Sequence, residues 1–262
     1  MIVDCHTHAG SYKQVMTEHE KHLDQLLQSM QTAGVDASIV LPIPTGKDEP
    51  VSEEHNKKLI GGVLRHKNLI PFCCLDSFSV PGSLYQLEQA VDLGARGLKT
   101  HPILQHTDIN DPNMYPVYEY AQRTGLPVLI HGGQFIGHKI AGTESRGLLR
   151  RADPLMVDEI AVAFPELKII FAHFGWPWLA VSLAVTQRHE NVSLDLSGWA
   201  PKHFPAELVP YVLKANTRKF LFGTDYPFIS PQRWLTEFRV LCPNAEAFGK
   251  VTGANLQQVL KV

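Results

Sequence analysis

The chain has 262 residues, of which 44% are hydrophobic, and a formal net charge of -2; scattered Lys and Arg near neutrality exclude the electrostatic footprint of nucleic-acid or anionic-membrane binding. This length fits one α/β domain over 1–262, and the most apolar stretch, 171–185, is too short for a membrane span of about 20 residues. Four cysteines (Cys5, Cys73, Cys74, Cys242) show no CxxC spacing, which suits reduced thiols in a cytoplasmic protein, and Asp4, His6 and His8 interrupt the place where a secretory leader would be apolar.

Taken in order, the first strand is expected over IVDCHTH (2–8). A helix over 19–34 places Leu23, Leu26, Leu27 and Met30 on one face, with Gly34 to close it. Strand two is DASIVLP (36–42), and the helix over 52–66 takes Ser52 as its cap, with Glu53 and Glu54 in the first turn. Strand three is LIPFCCLD (69–76), followed by a helix over 83–94. ARGLKTHP (95–102) is strand four, the next helix closes at Gly125, and LPVLIHGG (126–133) is strand five. After a long connection, 132–152, Asp153 caps a helix with Pro154 at its first position. LKIIFAHFG (167–175), NVSLDLSG (191–198) and RKFLFGTD (218–225) are strands six to eight. Helices are expected over 178–189, 206–216, 231–241 and 254–260.

Eight strand–helix units with apolar strands predict a parallel sheet covered by helices, closed as a (β/α)8 barrel. An open doubly wound sheet is the fallback, but the turn after strand one reads HTHAGS where such folds carry a glycine-rich phosphate loop. The long connection after strand five is the kind of loop that carries function.

Barrel active sites sit at the carboxyl ends of strands. Those ends hold His6 and His8, Lys99 and His101, His131, His173, Asp195 with Ser197, and Asp225. Strict alternation puts His6 and His8 on one face and Cys5 and Thr7 on the other. A lone strand-end histidine is ordinarily just hydrogen-bonded; convergence changes the balance. Four histidines and an aspartate at one rim would be a costly polar cluster without a cation. Imidazole nitrogen with carboxylate oxygen suits zinc or another divalent transition metal, with Asp4 or backbone carbonyls to fix the histidine tautomers.

These residues resemble a known family. DCHTH, GLKTHP, PVLIHGG, FPELKIIFAHFGWP, FGTDYPF and the terminal VTGANLQQVL are similar, in order and over nearly the whole chain, to the amidohydrolase superfamily. The best match is its group containing aminocarboxymuconate semialdehyde decarboxylase and related hydrolases. The resemblance implies that His6, His8, His131 and Asp225 bind one divalent metal, with zinc favoured and manganese as the alternative. His173 stands beside the metal as acid/base or polarising group. A two-metal site bridged by a carboxylated Lys99 is the less favoured variant.

The leading expectation is hydrolysis of an ester, lactone or amide of a small, carboxylate-bearing substrate through a metal-activated water, with Asp225 as base. The alternative is non-oxidative decarboxylation of a small aromatic or muconate-type acid. A non-catalytic metal-containing binding protein ranks last, because every expected position is filled. The loop residues His138, Lys139, Arg146, Arg150 and Arg151 offer charge for an acidic substrate; among them Arg146 is taken as a substrate contact. Lys99, His101, Trp176 and Trp199 complete the expected substrate contacts. A homodimer is compatible with the sequence, which carries no interface pattern.

Overall fold

The computed structural model of the protein describes residues 1–43, 53–75, 82–135 and 147–261. Strands β1 (Val3–Thr7), β2 (Ala37–Val40), β3 (Leu69–Pro71), β4 (Leu98–Thr100), β5 (Val128–Ile130), β6 (Ile169–Phe171), β7 (Val192–Asp195) and β8 (Phe220–Leu221) follow the expected order. Each pairs in parallel with the next inside two runs, β1 to β3 and β4 to β8. Parallel bridges between Cys73 and Leu98 and between Thr7 and Tyr226 join the runs. At the second seam Cys5 N donates to Phe222 O, His8 N to Tyr226 O and Asp225 N to His6 O, at 2.9, 2.8 and 2.8 Å. The sheet is thus closed, and the fold is a (β/α)8 barrel.

Two apolar layers hold it. Val3, Ile39, Phe72, Leu129, Ile170 and Leu221 fill the barrel interior, while Val40, Leu98, Ile130, Leu194 and Phe220 face outward and pack under the helices. Those helices are α1 (Tyr12–Ala33), α2 (Glu53–Val63), α3 (Ser83–Asp92), α4 (Tyr115–Thr124), α5 (Pro154–Ala163), α6 (Leu179–Arg188), α7 (Pro231–Leu241), α8 (Ala245–Gly249) and α9 (Asn255–Leu260). The expected stops and starts act as chemistry requires. Gly34 and Gly125 end α1 and α4 in left-handed geometry, at φ 69° and 71°, and Asp153 accepts from Leu155 N at the start of α5. The proposed cap Ser52 lies outside the described residues. Among them, no helix is long and apolar enough to cross a membrane.

Three expectations need correction. Helix α1 begins at Tyr12 instead of 19, because the Gln14 side chain accepts from Ser11 N; the chain then kinks at Glu18 (φ -131°). No regular α-helix follows β7: the segment narrows to a π-turn over Tyr211–Ala215, where Pro210 has no N–H to give a helical ladder. Strand β1 does not alternate strictly. Its register shifts between Asp4 and Thr7, so Cys5 packs in the interior while its neighbour His6 reaches Asp195 across the barrel.

The amino rim carries a single well-satisfied cation among its described buried residues. Lys219 is buried there, and its Nζ donates to the carbonyls of His189, Glu190 and Val192 at 2.7, 2.7 and 3.2 Å. All three of its protons find acceptors.

Candidate metal centre

The carboxyl rim is built differently. His6, His8, Lys99, His101, His131, His173, Asp195 and Ser197 are all buried there, and Asp225 lies just beyond β8 with its side chain 17% exposed. His6 Nε2 and His8 Nε2 both face Asp225 Oδ1, at 3.4 and 3.2 Å. One ligand atom from each of these three residues falls within 4.8 Å of the others.

The second contacts of the rings fix what those atoms are. His8 Nδ1 lies 2.9 Å from Leu41 O, a group that only accepts, and His6 Nδ1 lies 2.6 Å from the Asp195 carboxylate. Each Nδ1 therefore carries the proton, and each Nε2 presents a lone pair. Burial, with Lys99 nearby, holds the His6 imidazole well below its ordinary value, so it is neutral. Burial opposes ionisation of Asp225, yet the surrounding His8, His6 and His173 rings outweigh it, and its carboxyl lies below the usual carboxylate range. Two imidazole lone pairs and an anionic oxygen crowded together repel one another; a divalent cation among them removes that conflict. The donor set fits zinc or manganese.

His131 stands apart from this compact trio. Its ring stacks on His101 at 3.7 Å and meets His173 at 4.7 Å, with Phe135 edge-on to both. Buried Nε2 atoms of His101 and His131 have no hydrogen-bond partner. Burial holds both imidazoles well below the ordinary value. Lys99 is 1% exposed, and among the described residues no hydrogen bond or ion pair reaches its Nζ; burial pushes it down to about 8, with Asp225 and Asp195 opposing. It remains a cation near neutrality.

Of the expected tautomer partners, Asp4 does not touch a ring. Its Oδ1 accepts from His6 N and Thr224 N at 3.0 and 3.1 Å, and its Oδ2 from Thr224 Oγ1 at 2.7 Å, stitching β1 to the segment after β8. Asp195 takes for His6 the part expected of Asp4, while backbone carbonyls serve as expected for the other two rings, Leu41 O for His8 and Ser197 O for His173 (3.2 Å). His173 and Asp225 both hold left-handed backbone, at φ 57° and 60°, a conformation that costs a non-glycine residue about 1–3 kcal/mol and clusters at functional sites. Gly223 is required sterically: a Cβ there would strike Asp195 Oδ1 and come within 3.0 Å of His6 Cβ.

Trp199 packs between Phe174 and Trp176, at 5.3 and 5.6 Å, and Trp176 is 36% exposed. Arg151 is engaged by Asp108 at 3.1 Å, while Arg150 only approaches that carboxylate, at 3.9 Å, with its side chain mostly exposed. Arg146, His138 and Lys139 lie outside the described residues.

The family described as Amidohydrolase matches residues 3–255. A curated 2-amino-3-carboxymuconate-6-semialdehyde decarboxylase from Dictyostelium discoideum is 22% identical over 204 residues, 68% of this chain and 54% of that protein; the chain spans about half that relative's length. Among solved structures, an uncharacterized TIM-barrel protein from Bordetella bronchiseptica aligns with TM-score 0.78 at 18% identity, covering 99% of this chain and 98% of that one. A dihydroxybenzoic acid decarboxylase from Polaromonas, with bound manganese and the inhibitor 2-nitroresorcinol, aligns with TM-score 0.72 at 16% identity, covering 99% and 96%. At such identities the likeness to the solved structures establishes the fold.

Proposed function

Because this chain belongs to the amidohydrolase family, we propose that it is a metal-dependent decarboxylase of a small aromatic or muconate-type acid. The reaction is R–COO⁻ + H⁺ → R–H + CO2: the bond to the carboxyl carbon breaks, and a proton takes its place. One observation carries the reading. A buried cation, Lys99 Nζ, and two buried ring nitrogens of His101 and His131 have no hydrogen-bond partner among the described residues, at the rim that holds the His6–His8–Asp225 trio. Unpaired buried nitrogens cost stability unless a ligand answers them, and a carboxylate answers a cation and a ring N–H together.

His6, His8 and Asp225 would hold the metal, with His131 as the fourth candidate. A bound divalent cation supplies Lewis-acid polarisation of substrate oxygens. Lys99 and His101 orient the substrate carboxylate. The stacked His101–His131 pair, the Phe135 edge and the Trp176–Trp199 pair exclude water from the mouth. His173 presents Nε2 to the same space, and His173 or Asp225 delivers the proton to the carbon that loses CO2. The relatives named as decarboxylases support this chemistry over hydrolysis.

Incubation with hydroxylated benzoic acids and aminocarboxymuconate semialdehyde, under assay for CO2, tests it. Release of CO2 with one solvent deuterium placed on the product carbon is expected. Cleavage of esters or lactones to acids without CO2 would overturn the reading in favour of hydrolysis. Prolonged chelation is expected to remove nearly all activity, and zinc or manganese to restore it, at about one equivalent per chain by elemental analysis; activity unchanged in chelated, metal-free protein would contradict it.

Lys99→Met gives a sharper result. Removing an unpaired buried charge is expected to raise the melting temperature of the ligand-free protein. At the same time KM for the acid rises by about 10- to 100-fold, the value of one charge-assisted hydrogen bond. A variant with unchanged KM would remove Lys99 from substrate binding.

A further inference from the structure

The stretch Asp195–Leu196–Ser197–Gly198 ends the run expected as strand seven, and the Asp195 and Ser197 side chains are buried among the site histidines. Asp195 and Ser197 are each 0% exposed. Ser197 N donates to Asp195 Oδ1 at 2.8 Å, and Ser197 Oγ donates to Asp195 Oδ2 at 2.8 Å. That uses the only hydroxyl proton and leaves two lone pairs. His6 Nδ1 lies 3.1 Å and His173 Nδ1 3.0 Å from the same oxygen. Since His6 Nδ1 already gives its proton to Asp195 Oδ2 at 2.6 Å, one carboxylate oxygen anchors the hydroxyl and one imidazole together.

The hydroxyl donates one bond and accepts one, from His173 Nδ1, while the single Nδ1 proton of His6 is committed to Asp195. Its contribution to the two rings is unequal. His6 keeps its short bond to Asp195 without it. Among the described residues, His173 Nδ1 otherwise has only the Ser197 carbonyl, at 3.2 Å. Gly198, at φ 75°, makes the approach possible, since a Cβ there would stand 2.8 Å from His173 Nδ1.

We propose that Ser197 is a positioning residue: anchored by Asp195, its hydroxyl holds His173 with Nδ1 protonated and Nε2 turned to the His6–His8–Asp225 trio. The same hydroxyl joins His173 to the carboxylate that fixes His6, so one turn sets both rings. The assignment rests on the decarboxylase reading only for its kinetic consequence; the tautomer consequence is independent of it.

Two measurements on Ser197→Ala, a substitution that only deletes the oxygen, test this. The first is histidine ring 15N–1H spectroscopy on the metal-free protein without substrate. In the parent, His6 and His173 are expected as single Nδ1–H tautomers; in Ser197→Ala, His6 keeps its tautomer and His173 divides between two. An unaltered His173 spectrum would overturn the proposal whatever reaction the protein performs. The second is turnover of the acid that the parent decarboxylates: kcat falls about 10- to 100-fold, the usual cost of removing such a contact behind a working histidine, while KM and metal content stay. A fall in metal content with kcat per bound metal unchanged would overturn it too. Asp195→Asn, which keeps the shape and removes the anchor, is expected to disturb the spectra of both rings; a change confined to His6 would show that the hydroxyl holds His173 without its anchor and would reject the shared-carboxylate arrangement.

Discussion

Asp225→Asn is expected to lower kcat/KM by about 1,000- to 10,000-fold and to leave the protein folded but poor in metal. The substitution is clean in three respects. Amide and carboxyl are the same size, Asn tolerates the left-handed backbone that Asp225 adopts at φ 60°, and the Asp225 N to His6 O bond at the seam is untouched. What changes is the charge. Oδ1, facing His6 Nε2 and His8 Nε2 at 3.4 and 3.2 Å, ceases to be anionic. The amide can also turn an N–H toward those lone pairs, meeting their need for a positive partner without any cation. A proton carrier lost from the site costs about 100- to 10,000-fold alone, and a lost ligand adds to it. Elemental analysis beside kcat/KM separates the two losses. A variant with full metal and full turnover would refute both the ligand role and the proton role.

The second large effect is on stability in acid. His55 is fully buried, and burial, with His19 nearby, pushes it from 6.5 down to about 4. The unfolded chain therefore binds a proton below about pH 6.5 that the folded one refuses until about pH 4. Unfolding gains protons across that window, so stability falls as pH falls through it. For His55 alone the loss is about 3 kcal/mol, at about 1.4 kcal/mol for each unit of displacement. His6, His101, His131 and His173, all lowered by burial, act in the same direction. Asp4 opposes them. Burial pushes it up to about 8, so it favours the folded state in acid and loses that contribution as pH rises through the window from about 4 to 8. Burial raises Asp195 as well, so it acts with Asp4; five histidines against these two carboxyls leave a net loss. Urea unfolding of the metal-free protein at pH 7 and at pH 4.5 is expected to differ by at least about 3 kcal/mol, and equal midpoints would contradict the buried neutral histidines.

The barrel was legible because each strand is a short apolar run and each crossover an amphipathic one, and because chemistry-bearing residues stand where the apolar runs give out. Periodicity is weakest where another force decides. Pro210 breaks the helix after β7 although its neighbours are good helix formers, and Ser11 with Gln14 starts α1 earlier than its apolar face does. Alternation failed in β1 because the register shift between Asp4 and Thr7 turns Cys5 and His6 to the same side. Within the site, His6, His8 and Asp225 could be singled out as a polar exception to apolar strands. Asp195 and Ser197 could not be ranked, since Asp and Ser before Gly are what any turn would carry; only the folded chain brings their oxygens to His6 and His173.

The closing seam has one more implication. The trio does not sit within one strand pair's own ladder: His6 and His8 come from the first stave of the barrel and Asp225 from the segment beyond the eighth, joined by a single bridge and a few bonds. An ion gripped there would act as a clasp between them. Losing it would slacken that junction before the middle staves felt anything.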